Sequence, residues 1–174
     1  MSKIITIPID LLFFPYKPDL EHYYKEYWRK DGNYLWFGNH PLAQFAEDYI
    51  KYGKKVLDKL NEHIFIVYEY DRYSEAPTVK NDTHKYNASN RIMNMVDSIK
   101  KHGYCSGKYD KSKHLIRVFR ATDNRYIPGK EVYVLKSKKH RASACCALGI
   151  KNIKVKVVNE NEKYFINCNG IQDR

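Results

Sequence analysis

Alternating and continuous apolar positions divide residues 131–158 into a strand, a helix and a second strand. The run at 132–135 is β-branched and aromatic, which predicts a buried strand. Residues 141–148 are mostly small and apolar and Gly149 follows them, so they predict a helix that ends at a left-handed glycine. In residues 153–157 isoleucine and valine alternate with lysine, which predicts a strand with one face in water.

The remaining patterns predict a mixture of strands and helices. Pro41 is expected to be the first residue of a helix, capped by Asn39 or His40. Pro8 is expected to end the first strand, because proline has no N–H to donate within a sheet. Strands are predicted near residues 3–7, at 64–70 and 115–120, and near 164–166. Helices are predicted at 20–30, from Pro41 until Gly53 breaks the pattern, at 56–60, and from Ser89 or Asn90 to Gly103. Loops are predicted at 74–88, 105–113 and 124–130.

The polar turn at residues 137–139 leads into the central helix with a cluster of cations. Lys138, Lys139, His140 and Arg141 surround the point where this helix is expected to begin. A helix start exposes unpaired N–H groups and the positive end of the dipole, so each exposed cation there is unfavourable by about 0.3–1 kcal/mol. A phosphate bound among these donors would make the arrangement favourable. The turn therefore predicts an anion site, and the alternative is a solvated basic turn on a lysine-rich protein.

This segment resembles the signature Gly-x-His-Arg…Ala…Leu-Gly…Ile-Pro-Val of the ParB/sulfiredoxin-like superfamily. The matching features are His140-Arg141, the alanine-rich helix, Leu148-Gly149 and the strand residues 153–155. Members of the superfamily use this turn and helix start to hold the phosphates of a nucleotide. The resemblance therefore implies a nucleotide site at the same place.

Two upstream segments resemble the same superfamily in the same order. Residues 7–12, Ile-Pro-Ile-Asp-Leu-Leu, resemble the opening box of ParB-type domains, and residues 95–104 resemble the helix before the family's second strand. The resemblance covers residues 3–18 and 89–158, and residues 19–88 are then an aromatic-rich, largely helical insertion. The 174 residues are expected to form a single domain.

The resemblance implies an α+β fold with a small mixed sheet and helices. The implied cofactor is ATP or CTP, with Mg²⁺ as the ion that would accompany it, and no residue of the chain is predicted to be a metal ligand. The residues expected to bind the nucleotide are Ser137, Lys138, Lys139, His140, Arg141 and Ala142.

Three departures from the superfamily limit the function that the resemblance implies. Lys138 stands where the signature has glycine, so a charge replaces the close backbone approach that glycine permits. Lys139 stands where sulfiredoxin has its catalytic cysteine, so sulfinic-acid repair is not expected. No helix-turn-helix segment follows the core, which argues against a chromosome-partitioning ParB protein.

The net charge of +11 lies entirely in one part of the chain. Residues 101–174 contain 17 Lys and Arg against 6 Asp and Glu, whereas residues 1–100 contain 14 of each. Such a field attracts nucleotides, phosphorylated substrates or nucleic acid. An AT-rich codon bias would favour lysine, asparagine, isoleucine and tyrosine, but it does not account for this asymmetry.

Several classes of protein are not expected. The sequence has no apolar run of about 18 residues and no secretory signal, so the expectation is a cytoplasmic protein without a membrane segment. The four cysteines form no CxxC pair, so reduced thiols are expected rather than a zinc site or disulfides. The HExxH, GxSxG and P-loop motifs are absent from the sequence.

The segment 20–37 is unusually aromatic and has two interpretations. Eight aromatic or histidine side chains alternate with basic ones, which is typical of a surface that stacks bases or closes over a substrate. The alternative, which the spacing favours, is an amphipathic helix whose aromatic residues belong to the core.

Two main hypotheses for the function follow, and a third alternative is a regulatory domain whose nucleotide only switches a partner interface. The first is a nucleotide-dependent enzyme that transfers phosphate from ATP to a small molecule, as free serine kinases of the superfamily do. Arg141 would hold phosphate oxygens and His140 would donate a hydrogen bond or move a proton. Asp10 is the candidate catalytic carboxylate, with Glu21 and Glu47 as further candidates.

The second hypothesis is a nucleic-acid-binding protein, either a nuclease or a DNA-associated regulator. The basic half would track phosphates while tyrosine and tryptophan stack on bases. Nuclease chemistry normally needs paired metal-binding carboxylates, and the sequence has no close Asp/Glu pair around the turn. Binding is therefore ranked above cutting.

Overall fold

The computed structural model describes the parts of the chain that carry both the sheet and the predicted site. The described residues are 3–16, 18, 21–63, 68–69, 78–79, 81–104, 112–158, 166–167 and 170–171. The strand predicted at 64–67, the basic loop at 105–111 and the residues 164–165 lie outside this description, as do the side chains of His22, Tyr23 and Tyr27.

Nine strands are present in the described residues, and five of them form one sheet. In chain order they are β1 Lys3–Pro8, β2 Leu12–Phe13, β3 Tyr68–Glu69, β4 Thr78–Val79, β5 Ile116–Ala121, β6 Val132–Ser137, β7 Asn152–Val157, β8 Ile166–Asn167 and β9 Gly170–Ile171. The sheet has the order β1-β7-β5-β6-β2. The pairs β7–β5 and β6–β2 are parallel, while β1–β7 and β5–β6 are antiparallel. The predicted α+β class with a mixed sheet is confirmed.

Four α-helices accompany the sheet in the described residues. They are α1 Glu21–Tyr27, α2 Pro41–Tyr52, α3 Asp82–His102 and α4 Lys139–Ala147, and 3₁₀ segments occupy Ile9–Leu11, Phe37–Asn39, Gly53–Glu62 and Ser112–His114. Pro41 is the first residue of α2, as predicted. His40 is the cap of α2, because its Nδ1 accepts the N–H of Leu42 at 3.0 Å.

Two predicted helix starts are wrong. α3 begins at Asp82 rather than at Ser89 or Asn90, because the side-chain oxygen of Asn81 accepts the N–H of His84 at 2.9 Å and caps the helix there. Residues 82–88 were predicted to be a loop, but they form the first turns of α3. Five of these seven residues are exposed to water.

The central helix also begins earlier than predicted. Lys139 is its first residue, two positions before Arg141. Its end agrees with the prediction, since Gly149 has φ 68° and its N–H donates to the carbonyl of Cys146.

Helices α2, α3 and α4 cover one face of the sheet and form the main core with it. Ile5, Val155 and Ile116 lie side by side across β1, β7 and β5, so their side chains share this face. Ile92 of α3 and Phe45 of α2 are fully buried in the same cluster. Because α2 belongs to the segment expected to be an insertion, that segment contributes to the common core.

A second, aromatic cluster covers the β2–β6 end of the opposite face. Tyr24 and Trp28 of the aromatic segment are 1% and 4% exposed, and their rings lie 4.6 Å apart. Phe13 of β2 and Val134 of β6 belong to the same cluster. The core interpretation of the aromatic segment therefore holds for the buried side chains that the structure describes.

Candidate functional site

The turn between β6 and α4 has a backbone conformation that lysine rarely adopts. Lys138 has φ 76° and ψ 40°, and within the described residues it is the one non-glycine residue with a positive φ. The left-handed conformation is unfavourable by about 1–2 kcal/mol for a residue with a Cβ atom. Glycine, which the superfamily signature has here, adopts it without this strain. Lys138 therefore has a backbone conformation typical of glycine while carrying a charged side chain.

The start of α4 has no side-chain cap. Lys138 occupies the cap position, and its side chain bonds to none of the first N–H groups. The N–H of Ala142 donates to the carbonyl of Lys138 at 3.0 Å, and this is the first hydrogen bond of the helix. The methyl group of Ala142 is buried. Ala142 was predicted to contact the nucleotide, but neither its side chain nor its paired N–H is placed to do so.

A cavity of about 420 Å³ lies between α3 and the start of α4. One wall is the face of α3 together with the two residues that follow it, and the other wall is the start of α4. The lining residues are Arg91, Asn94, Met95, Ser98, Ile99, Gly103, Tyr104, His140 and Arg141. This volume lies within the range of small-molecule sites, which is about 300–1,000 Å³.

The lining combines cations and neutral donors with no carboxylate among the described residues. Arg91 and Arg141 carry the charge, and neither forms an ion pair with a described residue. The Nη1 atom of Arg141 is buried and has no hydrogen-bond partner in that part of the chain. Leaving such a donor unpaired costs about 1–3 kcal/mol, and more when it is charged. An anion in the cavity would supply the missing acceptor.

The pKa of a buried histidine next to the turn is affected by the positive charges of this region. His40 is fully buried, and its ring stacks on Phe37 at 5.0 Å. Burial lowers the pKa of His40 well below its ordinary value, and the nearby charges of Lys139 and His140 lower it further. His40 is therefore neutral at physiological pH, so it fixes α2 beside α4 without adding to the positive charge.

The predicted carboxylates lie away from the cavity. Asp10 follows Ile9, whose N–H donates to the carbonyl of Lys151 beyond the C-terminal end of α4, so Asp10 lies at the opposite end of that helix from His140. The same end carries Cys146, whose pKa burial raises to about 12, with smaller contributions from Glu47 and Asp10. The structure thus does not bring the two predicted catalytic residues together.

The other two candidate carboxylates are engaged elsewhere. Glu47 accepts two hydrogen bonds from Arg29, at 2.7 and 2.8 Å. Glu21 accepts from Lys25 at 2.9 Å and from the hydroxyl of Tyr16 at 3.0 Å. Glu47 therefore links the aromatic segment to α2, whereas Glu21 is bonded within and just before that segment.

Ser137 is also separated from the cavity. It pairs with Arg117 at an irregularity between β5 and β6, and it is not part of the cavity lining. Its Oγ is buried without a hydrogen-bond partner in the described residues. Of the six residues predicted to bind the nucleotide, His140 and Arg141 line the cavity, while Lys138 and Lys139 adjoin them in sequence.

The lining residues that sequence reasoning missed are Arg91 and Asn94 of α3; the sequence allowed Asp97 and Ser98 of the same helix to face the nucleotide but favoured a surface role for them. Arg91, Asn94 and Ser98 recur at spacings of three and four, which places them on one helix face beside the buried stripe. That spacing was visible in the sequence, but nothing in it indicated which helix would face the basic turn. Asp97, which precedes Ser98, is directed towards α2, where its Oδ2 accepts a hydrogen bond from the Tyr49 hydroxyl at 2.9 Å.

Comparison with known proteins identifies no relative. No protein-family model matches the chain, and neither a curated protein nor a solved structure matches it significantly. The superfamily resemblance therefore rests on the motifs alone. Among the described helices, none has both the length and the apolar character needed to cross a membrane.

Proposed function

We propose that the chain binds a nucleotide through its phosphates in the cavity between α3 and α4 and transfers a phosphoryl group from ATP to a small molecule. The observation that carries the proposal is the pair Arg91 and Arg141, on opposite walls of a cavity that lacks a carboxylate in its described lining. Two guanidinium groups with no ion-pair partner there are suited to hold phosphate oxygens in bidentate fashion.

The apolar part of the same lining suits the remainder of a nucleotide. Met95 and Ile99 supply apolar surface, and Asn94 and Ser98 supply neutral donors and acceptors. A base and sugar need both kinds of contact, whereas inorganic phosphate needs neither. This division supports a nucleotide over a simple anion as the ligand.

His140 is the residue proposed to move a proton. In phosphoryl transfer to an alcohol, the bond between the terminal phosphorus and its bridging oxygen breaks and a bond to the substrate oxygen forms. The proton of the attacking hydroxyl must leave, and His140 is the titratable side chain of the cavity whose ordinary pKa is near neutrality. ADP is the leaving group.

The described walls do not fit a protein-held Mg²⁺. Magnesium prefers carboxylate ligands in an octahedral arrangement, whereas the described lining has no carboxylate and places two arginines beside its neutral oxygen groups. We therefore assign no step to the ion.

Calorimetric titration of the protein with ATP and with CTP measures the affinity for each nucleotide and tests the proposal. Arg141→Gln should lower the affinity for whichever nucleotide binds more tightly by about 10-fold to 100-fold, since a charge-assisted hydrogen bond contributes about 1.5–3 kcal/mol. Arg120→Gln is the matched control, because it removes the same charge from a residue paired with Glu131 at 3.8 Å outside the cavity. Equal affinity of the Arg141→Gln variant and the unmodified chain would refute the site.

Turnover is tested separately. ATP consumption is followed by phosphorus NMR in the presence of a panel of small hydroxyl compounds. His140→Gln should abolish consumption that the unmodified chain shows. Tight ATP binding without consumption across the panel would leave a binding protein and refute the phosphotransfer step.

A further inference from the structure

The sheet face opposite to the helices is rich in cations. Ile4, Lys156 and Arg117 lie in one row across β1, β7 and β5, so their side chains share this face. Lys154 lies two residues before Lys156 on β7 and is exposed, as is Thr6 opposite to it. We call the set Ile4, Thr6, Arg117, Lys154 and Lys156 the basic sheet face.

The charged residues of these strands are all of one sign. The strands β1, β5, β6 and β7 contain six basic residues and no acidic one, namely Lys3, Arg117, Arg120, Lys136, Lys154 and Lys156. Arg117 and Lys156 are half-buried, and neither forms an ion pair with a described residue. Adjacent cations without counter-ions repel one another, so the face is complementary to a polyanion.

We propose that the basic sheet face binds single-stranded nucleic acid. The backbone positions of these cations lie about 6.6 Å apart along β7 and about 4.8 Å apart between β7 and β5, so an extended phosphate backbone can contact several of them in succession.

Apolar surface beside the cations favours a single strand over other polyanions. Ile4 is 50% exposed in the same row, and Phe119, two residues after Arg117 on β5, is half-buried. Exposed bases make apolar and stacking contacts that a duplex keeps inside its helix. An acidic peptide would use the charges but would leave the apolar side chains in water. A flat sheet also has no element that would enter a duplex groove.

This inference is independent of the nucleotide cavity. The cavity lies among α3 and α4, which pack against the other face of the sheet. Replacing residues on one face therefore leaves the lining of the other unchanged, and the two proposals can fail separately.

The test measures binding of a fluorescently labelled oligothymidylate of about 12 nucleotides by anisotropy at two salt concentrations. The double variant Lys154→Gln/Lys156→Gln should bind roughly 10-fold more weakly and lower the salt slope by about 1.4, since each phosphate contact on a single strand contributes about 0.7. Arg117→Gln should weaken binding in the same direction.

Controls and alternative probes make each outcome decisive. Lys54→Gln/Lys55→Gln removes the same charge from an exposed 3₁₀ segment and should leave binding unchanged, as should Arg141→Gln. Equal weakening by Lys54→Gln/Lys55→Gln would overturn the assignment of the surface. Binding of a duplex of equal length, or of polyglutamate, as tight as that of the oligothymidylate would overturn the choice of single-stranded nucleic acid.

Discussion

Replacing Lys138 by glycine should stabilise the folded protein. Lys138 has φ 76° and ψ 40°, a conformation that is unfavourable by about 1–2 kcal/mol for a residue with a Cβ atom. Glycine removes this strain but loses about 0.5–1 kcal/mol more in backbone entropy on folding. The difference is a gain of about 0–1.5 kcal/mol in the free energy of unfolding, with a central value of about 0.7. For a chain of this size that corresponds to a rise of roughly 2 °C in Tm.

Two further variants separate the backbone from the charge. Lys138→Ala removes the ammonium group but keeps the Cβ atom, so its stability should stay within about 0.5 kcal/mol of the unmodified chain. Lys138→Val adds a β-branch to the same backbone and should be the least stable of the set. Urea unfolding followed by circular dichroism gives the midpoints, which are compared at equal m-value.

The comparison of glycine with alanine decides the result. If the glycine variant is less stable than the alanine variant, as it is at an ordinary backbone position, residue 138 does not have a left-handed backbone in solution. The description of the turn would then be wrong. Both variants lose the same charge, so equal losses of nucleotide affinity would show that Lys138 contributes its ammonium group to the site.

Three other predictions follow from buried or paired groups. Because the pKa of His40 is lowered on folding, the unfolded chain takes up a proton more readily below about pH 6.5. Stability should therefore fall as pH falls through that range, and His40→Asn, which retains a capping oxygen, should show a smaller loss of Tm between neutral and mildly acidic buffer. Phe45→Ala empties a fully buried position and should lower the free energy of unfolding by about 3–5 kcal/mol in urea titrations. Tyr49→Phe removes the hydroxyl that donates hydrogen bonds to Asp97 at 2.9 and 3.0 Å between α2 and α3. The free energy of unfolding should fall by about 0.5–1 kcal/mol in the same titrations, and an unchanged value would contradict the contact.

The elements around the site could be predicted because their signals are local. The alternation in residues 153–157 gives β7 with Ile153, Val155 and Val157 buried and Lys154 exposed. Gly149 and Gly103 end their helices with a positive φ, as the patterns indicate. A period of two and a terminal glycine each depend only on neighbouring residues, so no tertiary knowledge is needed.

Helix starts within polar segments were harder to predict. Residues 82–88 contain no apolar stripe, so periodicity does not distinguish them from a loop. The asparagine cap at position 81 decides the matter, and a cap is recognised only when the helix that follows is already expected. The same dependence explains the early start at Lys139, whose cap position has no capping side chain.

The sequence predicted the α4 wall of the cavity but not its pairing with Arg91 on the α3 wall. His140 and Arg141 were found because the helix start and its charges are contiguous in sequence. Arg91 lies 50 residues before Arg141, and no local signal links the two. Asp10 was chosen because it follows a strand, but β1 lies at the edge of the sheet beside β7, and its end meets the far end of α4.

Three unfavourable features meet at the start of α4, and one ligand would relieve two of them, the exposed cations and the unpaired guanidinium. Cations at an uncapped helix start cost about 0.3–1 kcal/mol each when exposed, and the left-handed Lys138 costs about 1–2 kcal/mol. The unpaired Nη1 of Arg141 costs about 1–3 kcal/mol more. Together they amount to several kcal/mol, a large part of the roughly 5–15 kcal/mol by which a domain is stable. An anion would pair with the guanidinium and the helix N–H groups at once, whereas a solvated basic turn would leave the buried nitrogen unpaired. Thermal unfolding should therefore show a larger rise in Tm with phosphate-containing ligands for the unmodified chain than for Arg141→Gln, and equal rises would show that the strain at this turn serves no anion.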